Sequence, residues 1–140
     1  MGTRSTIAFI DNRTSGGKVI SNELVRIYQQ YDGYPKGVGL ELAHWLKDKK
    51  IVNGFGYGET AENGYCNGVG CMSAQFIHDF KVGIGGLYIT DHDDCEEYDY
   101  KVIVTNDSTI TLEVYEDGVH IFQGSVVEFI DAVYNGDFEW

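Results

Sequence analysis

Between residues 98 and 122 apolar side chains recur at every second position, and this most constrains what the chain can become. Tyr100, Val102 and Val104 form one such run, and Ile110, Leu112 and Val114 form another beyond the polar break Asn106-Asp107-Ser108. A period of two places these residues on one face of a strand. Asp117-Gly118 is a hairpin-turn signal, and Val119-His120-Ile121-Phe122 follows it, so the segment predicts an antiparallel meander. Ser125-Val126-Val127-Glu128 then has the form of a capping box, which predicts a helix over 125–134 with Val126, Ile130 and Val133 facing inward.

The N-terminal half supplies the remaining elements. Thr6-Ile7-Ala8-Phe9-Ile10 reads as a strand, residues 11–17 as a turn, and residues 19–31 as a second strand forming a hairpin with the first. Pro35 and Gly37 interrupt the pattern. Val38, Leu42, Trp45 and Leu46 then recur at helical spacing, predicting a helix over 37–49 whose basic end, Lys47 to Lys50, suits its dipole. Residues 53–70, rich in glycine and asparagine, read as one long loop, a kind usually tied to function. Met72, Phe76 and Phe80 place a further helix over 71–81, and Leu87 to Thr90 a short strand. The expected fold is one α+β domain over 1–140, a mostly antiparallel sheet with three helices. With 140 residues, 43% of them apolar, the chain can bury a real core.

Composition narrows the function. Ten Lys and Arg against 22 Asp and Glu give a formal charge of −12, which repels a phosphate backbone and argues against direct nucleic-acid binding. No segment has the length of a transmembrane span, and the N-terminus runs into a strand instead of a leader. Three cysteines and no export signal predict reduced thiols and a cytoplasmic protein. Cys66, Cys71, His92 and Cys95 are the residue types of a zinc site. Their first spacing is loose, and Cys71 opens an apolar helical face, so no metal is assigned. The acidic run from Asp91 lacks the glycine and the final glutamate of a calcium loop. No nucleophile elbow, zincin pattern, P-loop or dinucleotide fingerprint is present, so neither catalysis nor a cofactor is expected.

Two segments carry the candidate binding residues. Tyr28, Gln30, Tyr31, Asp32 and Tyr34 lie where the second strand gives way to a helix, and offer aromatic faces and polar groups to a planar ligand. Tyrosine's usual role as half-buried packing slightly favours the other reading, in which the same tyrosines seal a sheet edge while the glycines shape the turn. Asn67, Gly68, Gly70 and Cys71 lead into a helix, where oriented amides can hold an anion. Together they suggest a pocket for a small anionic, planar ligand. An alternative is a basic protein partner recognised by Asp91, Asp93, Asp94, Glu96, Glu97, Glu116 and Asp117 in imitation of nucleic-acid charge. Phe138 and Trp140 at the C-terminus, exposed unless docked, suggest a homo-oligomer, most simply a dimer.

The two segments also carry a resemblance. Thr3-Arg4-Ser5, the stretch Tyr28 to Gly39, Ile51-Val52-Asn53-Gly54 and Asn67 to Gln75 are similar to motifs of a widespread family of uncharacterised small phage, prophage and bacterial proteins. The similarity spans roughly the first ninety residues, and the tyrosine stretch is its most specific part. The chain departs from the family at Gln29, where relatives have arginine, and at Val38, where they have histidine. The resemblance implies a phage association. From it we expect a counter-defence role, either sequestering a nucleotide signal of the host or inhibiting a host nuclease.

Overall fold

The computed structural model describes residues 2–91 and 97–138. Its frame is a six-stranded sheet in the order β5-β2-β1-β6-β7-β8. The strands are β1 (Ser5–Ser15), β2 (Lys18–Gln29), β5 (Leu87–Ile89), β6 (Tyr98–Val104), β7 (Ile110–Glu116) and β8 (Val119–Ser125). Neighbouring strands are antiparallel except β1 and β6, which pair in parallel. The helices are α1 (Leu40–Lys47), α2 (Gly68–Phe80) and α3 (Val126–Tyr134). The architecture is α+β, with the meander and capped C-terminal helix where the periodicity predicts them. Ser125 Oγ accepts from the Glu128 amide at 3.1 Å, and Glu128 Oε1 accepts from the Ser125 amide at 2.9 Å.

Register explains which face is buried. Ile7 stands beside Ile27 and Tyr100, and Phe9 beside Val25 and Val102. This row continues into β7 through Val114 and Leu112. Val69, Met72 and Phe76 of α2, Leu42 and Leu46 of α1, and Phe129 and Val133 of α3 join these residues in one apolar core. Phe76 stacks on Phe80 at 4.4 Å and meets Trp45 edge-on at 5.2 Å, which ties α2 to α1. The opposite face carries a polar chain. Arg26 is held by Glu23 at 2.7 Å and donates to Thr6 Oγ1 at 3.2 Å, and Thr6 donates to Asp99. Burying Arg26 and Asp99 is tolerable because each has partners.

Three expectations need correction. The first hairpin is longer than predicted: β1 continues through residues 11–15, and only Gly16 and Gly17 turn the chain. The loop over 53–70 is interrupted, because β3 (Lys50–Val52) pairs in parallel with β4 (Tyr65–Asn67) and α2 already begins at Gly68. The helix expected from residue 37 starts as a wide π-type turn over Pro35–Gly39, with Gly37 outside helical geometry, before α1 becomes regular.

Candidate functional site

The glycine segment before α2 opens on a groove of about 790 Å³. Asn67, Gly68, Gly70 and Cys71 all line it, as do Asp11 and Arg13 from β1 and residues of the β6–β7 turn, among them Asn106 and Ser108. β4 and α2 adjoin without a linker, so the helix starts directly from the small β3–β4 pair. Asn67 precedes the first turn without capping it. Its Oδ1 instead accepts from the Gly54 amide at 2.7 Å, so among the described residues the start of α2 has no side-chain N-cap. Arg13, the guanidinium at this site, is paired with Asp11 at 2.9 Å, and that hydrogen bond raises its pKa further. Asn106 is fixed by a two-way bond to the Thr14 backbone, at 2.9 and 3.2 Å. The hollow thus offers amides, hydroxyls and a guanidinium, groups that bind anions, beside one carboxylate, Asp11, that already takes up part of the guanidinium's charge.

Two glycines here have different origins. Gly68 has φ +83°, which L side chains rarely adopt. Gly70 has no such φ, and a Cβ added to it meets nothing within 4 Å. Neither backbone nor packing requires glycine at Gly70, although glycine weakens a helix by about 1 kcal/mol relative to alanine. It leaves the groove wall bare.

The tyrosine segment lies elsewhere. Tyr28 pairs with Thr6, and the Gly33 amide donates to the Thr3 carbonyl, whereas the groove is lined by Asp11 and Arg13. At least five residues of β1, roughly 17 Å, separate these ends. Tyr28, Gln30, Tyr31, Asp32 and Tyr34 line no part of the groove. The structure does not bring the two halves of the expected pocket together. Local packing accounts for much of the segment. Tyr28 lies against Tyr88 at 6.1 Å, the Tyr34 hydroxyl donates to Asp32 at 3.2 Å, and the Val38 amide donates to the Asp32 carbonyl at 2.7 Å. Gly37 packs so closely that a Cβ would stand 2.2 Å from the Asp32 carbonyl oxygen. The fully buried Tyr100 hydroxyl donates to the Gly33 carbonyl at 2.6 Å, and burial pushes its pKa well up.

Of the acidic residues considered for a protein partner, Asp93, Asp94 and Glu96 lie outside the described residues. Asp91, Glu97 and Asp117 are exposed, and the Asp117 amide donates to the Glu97 carbonyl at 2.9 Å, joining two acidic segments. Among the zinc-type residues, His92 and Cys95 also lie outside the described residues. Cys66 is buried, which raises its thiol pKa, and Cys71 is exposed at the groove. The contributions of Asp11, Arg13 and the β6–β7 turn carry no local sequence signal, because they reach the groove only through long-range strand pairing. Among the described residues no helix is long and apolar enough to cross a membrane. Compared with protein-family models, curated proteins and solved structures, the chain gives no significant match.

Proposed function

We propose that the protein binds, and does not transform, a small nucleotide-like anion in the groove at the start of α2. In the phage setting that the resemblance implies, such binding is a counter-defence function: the protein sequesters a signal. The observation that carries this reading is the uncapped first turn of α2 opening on a hollow of about 790 Å³ that also holds Arg13 and an unconstrained glycine at position 70. The charge of −12 does not prevent it. Oriented amides act at contact distance, whereas charges beyond the Debye length, about 8 Å at physiological salt, are largely screened.

The test is thermal denaturation with a panel of cyclic nucleotides, nucleoside monophosphates and ADP-ribose derivatives. A bound member raises the melting temperature in a concentration-dependent way. Denaturing the complex and recovering the ligand unmodified by mass separates a sequestering protein from an enzyme. A flat panel, with no heat in calorimetry, ends the proposal.

The exposure of Glu97 and Asp117 on two segments joined by a main-chain hydrogen bond supports a second reading, an acidic surface that engages a basic host protein such as a nuclease. Charge-driven association weakens steeply with salt. A pull-down from host lysate at low and high salt therefore tests it: a basic nuclease that elutes with salt favours it, and capture insensitive to salt removes it.

A further inference from the structure

A second, smaller hollow of about 280 Å³ adjoins the groove and shares Val52, Asn67 and Cys71 with it. Its other walls include Phe55, Ala61 and Tyr65. By itself it falls just below the ordinary range of ligand pockets, roughly 300–1,000 Å³, so it makes sense as an annex to the groove. The segment that builds it, residues 53–64, is rich in glycine but tied down. Besides the Asn67 bond to Gly54, the Gly56 amide donates to Glu59 at 2.7 Å, Asn63 Nδ2 donates to the Gly58 carbonyl at 2.9 Å, and the Tyr65 amide donates to the Thr60 carbonyl at 3.0 Å. On this braced loop Phe55 remains 68% exposed. An apolar ring carried by a braced backbone and exposed at the edge of a hollow can receive another flat surface.

We infer that this annex seats the planar ring of the ligand whose anionic group sits at α2, with Phe55 as the stacking residue and Tyr65 as the opposite wall. The inference rests on the function proposed above and replaces the tyrosine segment as the source of aromatic contact. It defines the ligand class as one flat heterocycle joined through a short spacer to a phosphate, the outline of a nucleoside phosphate. Tyr65 is itself positioned, with Lys50 Nζ 5.0 Å from its ring centre.

Calorimetry with the tightest nucleotide of the panel, and NMR titration of the Gly68 and Gly70 amides with inorganic phosphate, test the assignment on the full chain. Stacking on one aromatic ring is a large part of single-base affinity, so Phe55→Ala should weaken the nucleotide roughly 5- to 150-fold. Phe55→Trp should restore affinity, and inorganic phosphate should shift the amides equally in wild type and Phe55→Ala. Because Phe55 is exposed, an unchanged circular-dichroism spectrum is expected and serves as the folding control. Nucleotide affinity unaffected by Phe55→Ala overturns the ring seat and leaves the proposed function standing. Failure of wild type to bind any nucleotide removes both.

Discussion

At the scale of single residues, Gly70 and Gly37 make opposite predictions from the same physical question, namely what a Cβ would meet. At Gly70 it meets open space in a helical first turn, so Gly70→Ala should stabilise the protein by about 0.5–1 kcal/mol in urea titrations. The same methyl group would stand in the proposed groove, so ligand affinity should fall as stability rises. A variant that gains stability and binds normally would remove Gly70 from the site. At Gly37 the Cβ meets a backbone oxygen at 2.2 Å that has no flexible end to move aside. Gly37→Ala should therefore destabilise by several kcal/mol, roughly the cost of severe overpacking, without any ligand present. The pair also shows what was legible. The glycine-to-helix transition at Asn67–Cys71 was legible as a helix start, although α2 begins at Gly68, three residues before the apolar stripe places it. The tyrosine segment has the same look of a binding motif, yet its glycine at 37 answers to a carbonyl five residues earlier, a contact that composition does not reveal.

At the scale of elements, local signals and long-range pairing divide what could be read. The α3 cap, the α2 stripe and the β6–β7–β8 meander are written in neighbouring residues, and the fold follows them. The β1–β6 parallel pair and the β3–β4 pair join residues about 93 and 15 positions apart in sequence, and nothing local specifies either partner. Helix ends also carry electrostatic consequences that can be measured. The Trp45 indole donates to Asp79 Oδ2 at 2.8 Å, and this bond, with smaller help from His78 and Gln75, holds the Asp79 carboxyl below its ordinary pKa. The Ser125 amide does the same for Glu128. A pKa lowered on folding contributes stability that is present above the unfolded pKa and lost as pH falls through the folded one. The stability gap between wild type and Asp79→Asn should thus be open at pH 7 and close below about pH 4. In a Trp140→Phe background, the Trp45 indole N–H resonance should titrate with a midpoint below the usual Asp value of about 3.9. A midpoint at or above that value would show that the indole bond does not favour the carboxylate.

For the whole molecule, the distribution of apolar surface decides how the C-terminus should behave. A tail ending in aromatic residues invites the expectation of a symmetric contact between two copies. In the folded chain, however, the Phe138 ring lies 5.7 Å from Phe129 and 6.3 Å from Phe122, so it closes the protein's own core beside α3. Trp140 lies outside the described residues. Deleting residues 136–140 removes a half-buried phenylalanine from that cluster, a loss of about 1–3 kcal/mol by the area of one such side chain. The expected outcome is a lower urea midpoint with an unchanged denaturant slope, because the rest of the sheet and its three helices still unfold together. Light scattering on the same two proteins separates packing from assembly. If the tail serves only its own core, truncation changes stability and leaves the scattering mass per chain where it was. A mass that halves on truncation would instead put the tail in an interface. Since charge of −12 opposes close approach, that interface would have to be the apolar patch around Phe138 itself.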